Sequence, residues 1–128
     1  MITPLLAALL AIANPAGLTV PDDIPSAETA PMPALSLSAQ ATLRCSAAFA
    51  MVAHGQSIGN EDARQWPDLA TRGREFFVRS LAQLMDETGL DRAGIAALVE
   101  AEAQRLWDSG ETQQVMPACL VMLGAADL

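Results

Sequence analysis

Five of the chain's eight prolines stand at positions 15, 21, 25, 31 and 33, inside the stretch NPAGLTVPDDIPSAETAPMPALS. Proline locks φ and removes a backbone donor, so this density blocks both helix formation and strand pairing. Residues 14–36 therefore read as an extended Pro-rich linker, which leaves residues 37–128 to form the folded part. A chain of 128 residues supplies one domain at most on the scale of about 100–200 residues per domain, and the linker makes that domain small.

The linker follows a different kind of segment. Residues 1–13, MITPLLAALLAIA, carry an apolar run from Leu5 to Ala13 that falls short of the ~20 residues needed to span a bilayer. It matches the apolar part of a secretory signal, with Ala11-Ile12-Ala13 as a small-x-small cleavage site before Asn14. The expected setting is the periplasm or the exterior, with no stable membrane insertion once the signal is removed. Seven arginines and no lysine stand against fifteen acidic residues, a formal net charge of -8. Such a surface repels phosphate backbones and anionic lipid heads, so nucleic-acid partners are not expected.

Beyond the linker the apolar residues recur at helical spacing, and the abundance of alanine favours helix over strand. Ser36 and Ser38 can cap a first helix that carries Ala41, Cys45, Ala48, Phe49 and Val52 on one face and stops at Gly55. Asn60 can cap a short turn with Glu61 and Asp62 in its first positions. Pro67 is placed to open a longer helix to Thr88, with Leu69, Phe76, Phe77, Leu81 and Leu84 inward and Gly73 marking a close approach. Its other side carries Asp68, Arg72, Glu75, Arg79 and Asp86, read as a solvated ion-pair ladder in preference to an anion clamp at Arg72–Glu75. Gly89 and Asp91 separate this helix from one over 92–109, whose stripe is Ile95, Leu98, Val99 and Leu106 and which ends at Gly110. A last apolar helix spans 112–123 around Pro117, with Met116, Val121, Met122 and Leu123 read as core. The expected fold is all-α: a small four-helix bundle-like domain after a signal segment and a Pro-rich linker.

Candidate chemistry is sparse. Cys45 and the single histidine, His54, lie nine positions apart, on opposite sides of a continuous helix, so they cannot form a local nucleophile and base. The two cysteines, 45 and 119, sit on apolar faces and in an exported chain read as one disulfide; in a reducing compartment they would be two buried thiols. His54 with Met51 one turn earlier could offer soft ligands to copper, against the simpler reading of a surface histidine. Glu102, inside the stripe of its helix, could serve as a functional acid or be paired with an arginine. Residues 81–98 imitate a helix-turn-helix, but the second helix offers Arg92 and then alanines, Glu100 and Glu102, which do not suit a major groove.

The signal, the spacer, the RCSAAFAMVA helix, the TRGREFFVRSLAQLMDETGLDR helix pair and the final VMPACLVML together resemble small uncharacterised exported helical proteins of Gram-negative bacteria. The resemblance covers about residues 38–124. It implies a periplasmic setting and a Cys45–Cys119 bridge, and it implies no activity. The expected function is a non-enzymatic binding or protein-interaction role with a periplasmic protein partner, without catalytic residues, cofactor or metal. A second reading is a small-molecule or lipid carrier with an apolar cavity between helices around Phe49, Phe76, Phe77 and Trp107.

Overall fold

A computed structural model describes residues 34–128, so the signal segment at 1–13 and all but the last three residues of the 14–36 linker lie outside the described residues. These form five helices: α1 Leu37–Ser57, α2 Glu61–Arg64, α3 Arg72–Thr88, α4 Arg92–Ser109 and α5 Thr112–Ala125. The all-helical expectation holds, and the short turn after Asn60 forms α2.

Helix α1 is central. All four other helices pack on it, and α3 also touches α4 and α5. The sequence explains this placement, because Ala39, Ala47 and Ala48 alternate with Leu43, Phe49 and Val52 around more than one side of α1, and all six are buried. Alanine keeps the backbone accessible, so neighbours can approach from several directions. Phe49 meets Phe76 of α3 edge to face with ring centroids 5.1 Å apart, a geometry that suits the aromatic quadrupole. Gly73 is the close approach expected of it, since a Cβ there would lie 3.6 Å from that of Phe49 and 3.2 Å from that of Leu69. Ser36 fastens the entrance to α1 twice: its Oγ accepts from the Ala39 N–H at 3.0 Å and donates to Glu87 of α3 at 2.5 Å.

Cys45 and Cys119 form a disulfide between α1 and α5, with Cα atoms 5.2 Å apart and 74 positions between them. Both are buried, so the staple is enclosed by the core it closes.

Four expectations need correction. Helix α1 does not stop at Gly55 but runs through it to Ser57. The reversal falls at Gly59, whose φ is 79°; the Asn60 N–H donates to the Gly55 carbonyl and the Gly59 N–H to the Gln56 carbonyl, the Schellman pair. Gly55 itself is needed for room, because a Cβ there would stand 2.7 Å from the Cβ of Ala63 in α2. Second, α3 starts at Arg72, five residues after Pro67, because the Gln56 side chain binds the backbone of the intervening segment. Third, the ladder on α3 makes no ion pair among the described residues. Its arginines turn to the end of the chain, Arg72 donating to the Leu128 carbonyl and Arg79 to the Ala126 carbonyl. The carbonyls after a helix C-terminus carry partial negative charge, which favours cations there. Fourth, Val121 is 74% exposed; α5 buries Met116, Cys119 and Leu123 on one stripe and presents Val121 away from it.

Candidate functional site

The residues singled out in the sequence fall in three separate places. Cys45 is committed to the disulfide, and the described residues contain no free cysteine. His54 is exposed in the last turn of α1. The helix is continuous between them, so Cys45, already in the disulfide, and His54 stay apart and do not form a nucleophile and base.

Glu102 lies at the centre of an ion-pair chain. Its side chain is 15% exposed, and Arg105 grips it with both ends of the guanidinium fork, Nη2 to Oε1 at 2.7 Å and Nε to Oε2 at 3.1 Å. Arg44 of α1 stands 3.6 Å from Oε1, and Arg105 also reaches Glu111 at 3.3 Å. The chain thus joins α4 to the start of α5 by charge-assisted bonds and reaches α1 through the longer Arg44 ion pair. The hydrogen bond to Glu102 holds the Arg105 guanidinium above its ordinary value, against a smaller opposing effect of burial. Both carboxylate oxygens of Glu102 already accept from arginine, so a proton or substrate could use them only after those bonds open.

His54 lines a groove of about 450 Å³ between α1, α2, α4 and α5, together with Met51, Ile58, Asp62, Trp107 and Thr112. Met51 and His54 therefore share a wall, as helical spacing requires, and the Thr112 hydroxyl approaches the Met51 sulfur at 4.0 Å. No group of three or more His, Cys, Asp or Glu able to hold a metal ion occurs among the described residues. Trp107 and Ile58 stand on the rim, 75% and 67% exposed.

The four aromatics expected to enclose a cavity do not share one. Phe49 and Phe76 meet edge to face in the core, Trp107 belongs to the groove just described, and Phe77 of α3 is half-buried over a different face of α1, where it shares a depression with Phe49 alone of the other three. There, two adjoining depressions of about 370 and 450 Å³ share Ala53, Ser57 and Ala70. The first is walled by Phe49, Leu69 and Phe77 with Arg74 at its edge. The second is walled by Gln56, Trp66 and Arg64, with Asp68 beside them.

Sequence reasoning missed this second groove. Its walls come from α1 and from residues 64–77, which are joined by a side chain that no local rule picks out. Gln56 Nε2 shares its two hydrogens among the carbonyls of Ala63, Trp66 and Pro67 at 3.1, 3.2 and 2.9 Å, and its Oε1 accepts from the Leu69 N–H at 3.1 Å. One signal was present in the RGRE stretch: of its two arginines, Arg72 is drawn to the chain end and Arg74 borders the groove.

No helix among the described residues is long and apolar enough to cross a membrane. No protein-family model, curated protein or solved structure matches this chain.

Proposed function

We propose that the chain is an exported, non-enzymatic protein that acts in the periplasm or outside the cell by binding a protein partner, on a bundle-like arrangement of its four long helices. The observation that carries this reading is that Trp107 and Ile58 both line one groove while staying 75% and 67% exposed. Exposed apolar side chains gathered around a groove, a tryptophan among them, are the kind of surface that anchors a protein partner. The Cys45–Cys119 bridge supports export, because disulfides persist in oxidising compartments.

The test compares capture of partners from periplasmic extract by the native chain and by a Trp107→Ala, Ile58→Ser double variant. Both positions are exposed, so the variant keeps its fold and loses the partner. A partner retained equally by both proteins, or no partner for either, would overturn the reading. Intact mass of protein expressed from its own start codon tests the setting: removal of residues 1–13 and no alkylatable thiol are the expected result.

A further inference from the structure

The groove on the Phe77 side of α1 shares no lining residue with the Trp107 surface and carries a different chemistry. The folded part is strongly acidic, with seven arginines against twelve acidic residues between 37 and 128. Four arginines are engaged: Arg44 and Arg105 with carboxylates, Arg72 and Arg79 with backbone carbonyls at the chain end. Of the three without a hydrogen-bonded or ionic partner among the described residues, two, Arg64 and Arg74, line this groove. Two of these guanidinium groups therefore border a pair of adjoining depressions, one apolar and one polar, on a molecule whose net charge otherwise repels anions.

The groove is also graded along its length. One half has an apolar wall of Phe77, Ala50 and Ala53 laid over the buried Phe49 and Leu69; the other has Gln56, Trp66 and Arg64. The Asp68 carboxylate in the polar half is turned to its own backbone, its Oδ1 accepting from the Ala70 N–H at 2.9 Å. From Phe49 to Ser57 the groove follows α1 for eight residues, or about 12 Å at the helical rise. That is too short to seat a partner helix of the ~12–15 residues that helices need for stability. Each half instead falls within the ~300–1,000 Å³ of small-molecule sites.

We propose that this groove binds a single-chain amphiphile with a carboxylate head, a fatty-acid-type ligand. The hydrocarbon tail lies against Phe77, Ala50 and Ala53, and the head meets Arg64 beside Trp66. Guanidinium suits this role because its planar fork matches a carboxylate and is less strongly hydrated than an ammonium group. Arg74 adds a second positive charge on the rim.

Trp66 is a built-in reporter, since the chain has two tryptophans and Trp107 lies in the other groove. The experiment uses the mature chain carrying Trp107→Phe, titrated with sodium dodecanoate below its micelle concentration, followed by Trp66 fluorescence and by calorimetry. Saturable one-site binding is expected. Arg64→Gln should weaken it about tenfold, as loss of a hydrogen bond to a charged group implies, and Arg74→Gln should weaken it less. The neutral alcohol dodecan-1-ol should bind about tenfold more weakly than the carboxylate by the same reasoning. Ala53→Leu, which fills the floor shared by the two halves, should abolish binding while far-UV circular dichroism stays native. The proposal is overturned if neither method detects saturation, if dodecanol binds as well as dodecanoate, or if Arg64→Gln or Ala53→Leu leaves the affinity unchanged.

Discussion

The two connections on either side of α3 are built on opposite principles. Between α3 and α4 the chain needs three residues. Gly89 takes φ of 71° and donates to the Met85 carbonyl at 2.9 Å, the Leu90 N–H donates to Thr88 Oγ1 at 3.1 Å, and Asp91 Oδ1 accepts from the Gly94 N–H at 2.8 Å. Every bond closes within four residues. Between α1 and α3 the chain bends through α2 and is held from outside by Gln56 and by Gln113 of α5. Gln113 Oε1 accepts from Gln65 Nε2 at 2.8 Å and from Trp66 Nε1 at 2.9 Å, across 48 and 47 positions. The short joint would keep its form in any fold with two helices; the long one exists only because α1 and α5 are already in place. Both grooves border the long one, so the surfaces proposed to bind are those that depend on tertiary assembly.

The largest way to break this contrast is to cut the staple that holds α5 to α1. Replacing both Cys45 and Cys119 by alanine should cost about 2–4 kcal/mol, the usual effect of losing a disulfide that closes a long loop. Amide hydrogen exchange should then quicken over 59–71 far more than over 88–91, because the long connection leans on Gln113. Equal acceleration in both would mean that the bridge stabilises the domain uniformly and that the contrast is illusory. The next largest effect belongs to Gln56. Gln56→Ala leaves the partly buried Trp66 carbonyl and Leu69 N–H to find new partners, whereas the Ala63 carbonyl keeps the Trp66 N–H and the Pro67 carbonyl is exposed. Partly buried groups left this way cost about 2 kcal/mol together. Chemical denaturation measures that loss, and it should be accompanied by disturbed Trp66 fluorescence while the signals of residues 88–94 stay put.

The same contrast separates what could be read in the sequence from what could not. Helix α4 is bounded where Asp91 and Gly110 place it, and its buried stripe is Ile95, Leu98, Val99 and Leu106, because a cap and a 3.6-residue period are local facts. Gly55 and Gly59 show where local reading fails. Both are glycines near the end of α1, and only the contact between Gly55 and Ala63 decides that the first is spacing and the second is the turn. Pro67 misled for a related reason: proline can open a helix, but the Gln56 side chain claims the backbone around it first. Trp107 has the composition of a core residue, yet it faces water, since the stripe of α4 is already complete without it. The ion-pair chain at Glu102 was foreshadowed by the position of a carboxylate in an apolar stripe, whereas its partners Arg44 and Arg105 emerge only when α1 and α4 are packed together. The groove of Arg64 and Arg74 could not be inferred at all, because charge pairing across helices determines which arginines are left over.

Asp91→Ala removes the single side-chain cap of the short joint and should cost about 1 kcal/mol, lowering the melting temperature by about 4–8 °C for a domain of this size. The effect should be confined to the first turn of α4, with exchange over 59–71 unchanged.

Gln113→Ala is the mildest test and the most discriminating. Its bonds to Gln65 and Trp66 are exposed, where a hydrogen bond contributes about 0.5 kcal/mol net, so global stability should barely move. The long connection should nevertheless respond: Trp66 loses the acceptor for its indole N–H and should show altered emission and faster amide exchange, and α2 should loosen with it. If the joint at Asp91 needs only its cap while the connection at Trp66 shifts for so little energy, then the binding surfaces lie on the least tightly determined part of the fold. Unchanged Trp66 emission and exchange in this variant would place the whole support of that connection on Gln56, and the brace from α5 would carry no weight.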